Sequence, residues 1–322
     1  MPSQRVRALL LAALSGVALL APQLVPAADR KPTELTFARV DETELRLDLY
    51  LPESRARTGC SPPPASPPVG LIIWVHGGAW RGGSRASVDL AGMTARGWAV
   101  ASVDYRLSPV ARFPAQVHDI KAAIRFLRAH AGEYGYPASR FVIAGSSAGG
   151  HLAALVGVSN AERELEGSVG NDLSVSSDVQ AVVSLYGASN LASILAQSSP
   201  HGLSVRVPAL ELLLGGQPEA VPELTRLASP VFHVDAADPP LLLLHGDLDD
   251  QMPIQQSYEL EAAYQKLRLE ERLVVVHGSG HGGPAFTQPD MLELIDGFLR
   301  QKLAPSTAPA APQQKGLPSP ER

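Results

Sequence analysis

The chain changes between two apolar patterns as it is read from residue 44 onward. In 44–51, Leu45, Leu47, Leu49 and Leu51 occupy every second position. That period predicts a half-buried strand near a sheet edge. Six later runs, 71–75, 99–103, 141–144, 179–185, 241–244 and 273–276, are short and continuously apolar. Such runs suit strands covered on both faces, as in a parallel sheet. Helical periodicity fills the gaps. Over 114–130, Val117, Ile120, Ile124 and Leu127 form one stripe, and Lys121, Arg125 and Arg128 are expected to face away from it. Further helices are expected over 148–156, 254–267 and 289–303. Strands alternating with helices predict an α/β fold whose mostly parallel central sheet carries helices on both faces. Sites in such sheets lie at the carboxyl ends of the strands.

Composition agrees with one folded α/β unit. The 322 residues are 45% apolar and 18% charged, enough for a full core. Residues 33–303 are one domain's worth of chain, with no internal repeat. Residues 304–322 hold five prolines and no apolar period, and are expected to be a disordered Pro/Ala-rich tail. At the other end, Arg5 and Arg7 precede an apolar run over 8–21, and Val25-Pro26-Ala27 offers small residues for cleavage. Residues 1–27 thus read as a signal peptide, too short in its apolar part to span a bilayer. The expectation is a periplasmic or secreted protein with no stable membrane insertion once the signal is removed. Losing the two arginines would take the net charge from −5 to −7.

An acidic chain without a Lys/Arg-rich run has no electrostatic footprint for nucleic acid. The single cysteine, Cys60, lies in the proline-rich stretch 58–68. It excludes an intrachain disulfide and any multi-cysteine metal site. His118, His130, His201 and His233 show no metal-ligand spacing, so no metal and no cofactor is expected.

Three constellations fall at predicted strand ends. Gly145-Ser146-Ser147-Ala148-Gly149 follows the strand at 141–144 and opens a helix. Only Ser147 has glycine two places away on both sides, so it is the candidate nucleophile on a sharp strand–turn–helix. His76-Gly77-Gly78-Ala79-Trp80 follows the strand at 71–75, where backbone N–H groups could meet a developing oxyanion. After the serine come His245-Gly246-Asp247-Leu248-Asp249-Asp250 and His277-Gly278-Ser279-Gly280-His281-Gly282, each at a strand end. Asp247, Asp249 and Asp250 are alternatives for an acid. For the base, His281 stands between glycines on a loop, while His277 belongs to a strand end. An imidazole can take the serine proton and return it, and a carboxylate can hold the ring's tautomer.

With these motifs, and with Ser-Val-Asp-Tyr-Arg-Leu at 102–107 and Phe113-Pro114-Ala115-Gln116, the chain resembles α/β-hydrolase carboxylesterases. It is similar to the bacterial group near the hormone-sensitive-lipase-like enzymes. More narrowly it resembles the BD-FAE-like acetylxylan and feruloyl esterases with an H-G-G-x-W loop. The likeness covers about 45–303. Kynurenine formamidases share the loop. The resemblance implies Asp249 as the acid, with Met252 where valine is usual, and His281 as the base. It implies the backbone N–H groups of Gly78, Ala79 and Ala148 as oxyanion donors.

The expected activity is short-acyl ester hydrolysis on a small-molecule or carbohydrate ester, through Ser147, Asp249 and His281. The alternatives are amide cleavage by the same triad and a non-catalytic binding protein. Trp80 could line the acyl pocket or merely pack, while His76, His151 and His245 are expected to be structural. The long, leucine-rich connection 187–226 (Leu191, Ile194, Leu195, Leu210, Leu212, Leu213, Leu214) is expected to form a small partial lid. Nothing in the chain indicates an oligomeric state.

Overall fold

The computed structural model describes residues 31–52, 67–160 and 162–304. The expected signal peptide, the C-terminal tail beyond 304 and the Cys60 loop lie outside the described residues.

Eight strands form one sheet in the order β1-β2-β4-β3-β5-β6-β7-β8. They are β1 (Thr33–Val40), β2 (Thr43–Tyr50), β3 (Leu71–Val75), β4 (Ala99–Val103), β5 (Phe141–Ser146), β6 (Ala181–Leu185), β7 (Leu241–Gly246) and β8 (Glu271–Val276). β1 and β2 pair antiparallel, β2 pairs antiparallel with β4, and every pairing from β4 through β8 is parallel. This is the mostly parallel sheet of an α/β-hydrolase fold.

The continuous apolar runs have a simple cause. Alternate residues of each central strand enter different cores: Leu71, Ile73 and Val75 on one face, Ile72 and Trp74 on the other. β5 and β7 divide likewise, with Phe141 and Ile143 against Val142 and Ala144, and Leu241 and Leu243 against Leu242 and Leu244. Helices Ala115–Ala129 and Ala148–Gly157 cover the first face, and helix Pro289–Lys302 covers the second. β8 departs from expectation. As the edge strand it has a neighbour on one side only and is half-buried along its length.

One further expectation is corrected. Lys121 and Arg125 are buried, not solvent-facing. Residues 162–178 bring Glu166 to them: Lys121 Nζ donates to Glu166 at 3.1 Å and to the Ser159 carbonyl at 3.0 Å, and Arg125 pairs with the same carboxylate. Arg128 covers the Phe141 ring at 4.3 Å and donates to the carbonyls of Ala138, Ser176 and Asp178.

The connection between β6 and β7 contains helices Ile194–Gln197, Pro200–Leu214 and Pro222–Leu227. Leu191, Ile194, Leu210, Leu213 and Leu214 enter the main core, Leu195 packs against it, and Leu212 is exposed. Ser199 at the helix start donates to the Asp250 carbonyl at 2.5 Å. The insertion is thereby docked on the loop after β7.

Candidate active site

Ser147 occupies the turn between β5 and helix Ala148–Gly157 with φ 54° and ψ −117°, a conformation that side chains other than glycine rarely adopt. Its N–H donates to the Leu185 carbonyl of β6 at 2.9 Å, which fixes the elbow to the neighbouring strand. The flanking glycines are required sterically. A Cβ at Gly145 would lie 2.3 Å from the Gly149 carbonyl oxygen. One at Gly149 would lie 2.0 Å from the Val75 carbonyl oxygen. The turn therefore closes against β3 only without side chains at these positions.

Asp249 follows β7 and His281 follows β8, and because these strands are parallel neighbours both loops emerge at the same edge of the sheet as Ser147. The three side chains meet in one line: His281 Nε2 is 2.8 Å from Ser147 Oγ, and Nδ1 is 2.7 Å from Asp249 Oδ2. The distances suit a tautomer with Nδ1–H donating to the carboxylate and Nε2 accepting from the serine hydroxyl.

The carboxylate is well held. Its Oδ1 accepts from the Gln251 and Met252 N–H groups at 3.0 and 2.7 Å. Burial would raise its pKa, but hydrogen bonding from His245, His281 and Met252 holds it well below the usual carboxylate range. Asp249 is thus an anion inside the fold. Of the other two candidates, Asp247 pairs with His277 at 2.8 Å on the surface, and the Asp250 carbonyl, not its carboxylate, receives the bond from Ser199.

The loop after β3 runs through positive φ at Gly78 (113°), Ala79 (51°) and Trp80 (60°). At Gly78 this freedom is essential, since a Cβ there would meet the Gly82 carbonyl oxygen at 2.2 Å. Among the described residues the Gly78, Ala79 and Ala148 N–H groups have no protein acceptor. Ala148 also begins its helix, so its amide is one of the free donors of a helix N-terminus.

Trp80 is packed inside the fold. Its side chain is fully buried, and its indole N–H donates to His151 Nδ1 at 3.0 Å. His151 in turn donates from Nε2 to the Ala228 carbonyl at 2.7 Å, and burial pushes its pKa down to about 4. Of the two expectations for Trp80, its burial favours packing: the side chain supports the loop from beneath. His76 and His245 bond backbone as expected, His76 Nδ1 to the Gly77 carbonyl and His245 Nε2 to the Met252 carbonyl.

Sequence reasoning passed over Tyr186 and Arg206. Tyr186 directly follows β6 with φ 39°, and its ring meets His281 edge-on, with centroids 4.8 Å apart. Arg206, on helix Pro200–Leu214, is fully buried 6.0 Å from the Trp80 ring, and its Nε and Nη1 have no partner among the described residues. Burial lowers its pKa to about 10. Neither residue lies in a motif, so no local pattern marks it.

The BD-FAE family model matches residues 47–264. The chain is 34% identical over 225 residues to esterase LipC of Mycobacterium tuberculosis, covering 67% of this chain and 53% of that one. It is 30% identical over 295 residues to isoprenylcysteine alpha-carbonyl methylesterase ICME of Arabidopsis thaliana, covering 85% and 65%. The chain spans about half the length of the first curated relatives it matches. Among solved structures, a truncated carbohydrate esterase from gut microbiota superposes with a TM-score of 0.73 at 31% identity, over 86% of this chain and 98% of that one. Esterase 2 of Thermogutta terrifontis superposes at 0.66 and 28% identity, over 84% and 94%.

Proposed function

Since the chain belongs to the BD-FAE family, we propose that it is a serine carboxylic-ester hydrolase acting on short-acyl esters, including those of carbohydrates. The observation that carries this reading is the unbroken hydrogen-bonded line from Ser147 through His281 to Asp249. Support comes also from the names of its relatives, which are esterases, and of one structural neighbour, a carbohydrate esterase.

In the proposed reaction His281 takes the proton of Ser147 as its oxygen attacks the ester carbonyl. The resulting oxyanion is received by the N–H groups of Gly78, Ala79 and Ala148. The imidazolium, stabilised by ionised Asp249, then protonates the leaving alcohol. Water enters on the same base and releases the acid from the acyl-serine. Export is proposed on the charged and apolar pattern of residues 1–27. N-terminal sequencing of the protein recovered outside the cytoplasm tests it, with Ala28 expected first.

A p-nitrophenyl ester series from acetate to palmitate tests the acyl preference. Activity concentrated at two to four carbons supports the reading, and a preference for long chains contradicts it.

A further inference from the structure

The loop that carries the base holds itself poorly. His281 stands in Gly280-His281-Gly282-Gly283, with φ 92° at Gly282 and 101° at Gly283. Glycines give such a segment many alternative backbone conformations. Among the described residues, no backbone N–H from Gly280 to Gly283 donates a hydrogen bond within the protein. The imidazole is held through its own bonds, to Ser147 Oγ at 2.8 Å and Asp249 Oδ2 at 2.7 Å. Acylation of the serine removes the first of these, and the Asp249 bond alone leaves the ring a hinge.

Tyr186 supplies a further hold. Its buried ring packs edge-on against His281, with centroids 4.8 Å apart, and against Phe286 at 4.7 Å. Those two side chains flank Gly282 and Gly283, so one ring touches the loop on both sides of its most permissive stretch. A Cβ at Gly282 would lie 3.2 Å from the Tyr186 hydroxyl, and the loop thus lies close across the ring. The backbone of Tyr186 is fixed as well. The peptide group joining Leu185 to Tyr186 accepts at its carbonyl from the Ser147 N–H at 2.9 Å, and its N–H donates to the Leu244 carbonyl at 2.7 Å. It is therefore tied to the nucleophile on one side and to β7, which leads to Asp249, on the other. Tyr186 keeps φ 39°, where side chains other than glycine are uncommon. Strain of that kind persists only where the surroundings over-determine it.

We propose that Tyr186 is a positioning residue of the triad: its peptide group and its ring register the nucleophile turn, the acid strand and the base loop against one another. The inference rests on the ester-hydrolase reading and deepens it. The contacts to His281 and Phe286 are made by the ring, and edge-on aromatic contacts are directional. The ring therefore keeps the imidazole in place during the part of the cycle in which Ser147 carries the acyl group.

The test compares Tyr186→Leu, Tyr186→Phe and Phe286→Leu with the wild type, in p-nitrophenyl acetate turnover and in the rate at which a fluorophosphonate labels Ser147. Without the ring, Tyr186→Leu loses about 10²-fold in kcat, the scale of a reacting group misplaced by about 1 Å. KM changes little, and labelling slows by a similar factor. Tyr186→Phe keeps the ring and restores both rates nearly to those of the wild type. Phe286→Leu removes the ring's backing and shows the same split at smaller size, so it carries the test if Tyr186→Leu does not fold. A loss confined to KM would overturn the proposal and make Tyr186 part of the substrate wall. Tyr186→Phe as slow as Tyr186→Leu would overturn it too, and move the role to the hydroxyl. A folded Tyr186→Leu with wild-type kcat and labelling would do the same without replacing it. If the wild type hydrolyses no ester yet is labelled at Ser147, the ester reading falls, while slowed labelling of Tyr186→Leu still supports the positioning role.

Discussion

Asp247 Oδ2 lies 2.8 Å from His277 Nδ1, and its Oδ1 accepts from the Gly278 N–H at 2.7 Å. This second aspartate–histidine pair comes from the same two loops as Asp249 and His281, yet it points into solvent, with the His277 side chain 84% exposed. The two pairs separate because Leu248 N–H donates to the Ser279 carbonyl at 3.0 Å between them. They also differ in burial, since the Asp249 carboxyl is fully enclosed and the Asp247 carboxyl is not.

That difference sets unequal costs. Asp249→Asn lowers kcat by about 10⁴, the scale known for a triad whose base is left in the wrong tautomer. Asp247→Asn keeps an acceptor for Gly278 and lowers kcat by less than about tenfold, because exposed pairs contribute little. Steady-state kinetics on p-nitrophenyl acetate distinguishes them, and the reverse order would exchange the roles of the two acids.

The turn around Ser147 leaves no room for a methyl group at Gly149. Gly149→Ala would press a Cβ against the Val75 carbonyl. It lowers stability by roughly 3 kcal/mol or more, the range of severe overpacking. Denaturant unfolding measures this, and a variant with wild-type stability contradicts the described close approach.

Trp80→Phe separates packing from recognition. It leaves the buried His151 Nδ1 without its 3.0 Å donor. A loss of roughly 1–3 kcal/mol follows, with the acyl-chain preference unchanged. A shifted preference at undiminished stability would return Trp80 to the pocket wall.

Asp238 predicts a pH effect away from the triad, at the start of β7. Burial pushes its carboxyl up to about 7, while the Asp235 N–H donates to it at 2.8 Å. The folded state therefore holds this proton more tightly than the unfolded chain, whose aspartates titrate near about 3.9. Its contribution to stability is fully present below about pH 4 and is lost as pH rises through about 7. Between pH 5 and pH 8 the wild type loses more stability than Asp238→Asn, which cannot ionise. Parallel pH curves for the two would contradict the assignment.

The strands legible in the chain were those with a rule of their own: alternation for β2, short runs that are almost wholly apolar for β3 to β7. β1 was not legible, because only Phe37 and Ala38 of its eight residues are buried and the rest carry no clean period. Lys121 and Arg125 look solvent-facing on a helical wheel. Their burial depends on Glu166, more than forty positions away, which no local period reports. The leucines of 187–226 are apolar for the reason any core residue is, so their composition alone could not say which of them enter the main core. At the site, strand ends and glycine spacing brought Ser147 and His281 forward, and the family resemblance singled out Asp249 among three neighbouring aspartates. Tyr186 and Arg206 have no such marker, since their proximity arises from β6 and the insertion meeting the loops after β7 and β8.

The central claim is that Ser147 is the nucleophile activated by His281. A fluorophosphonate ester of the acyl-transfer type tests it directly, with the intact mass, the labelled peptide and residual p-nitrophenyl acetate turnover read on the same sample. The account predicts one adduct on the peptide containing Ser147, loss of turnover in step with labelling, and an unlabelled Ser147→Ala variant slower by at least about 10³-fold. An adduct on another residue, or undiminished hydrolysis by Ser147→Ala, would contradict it.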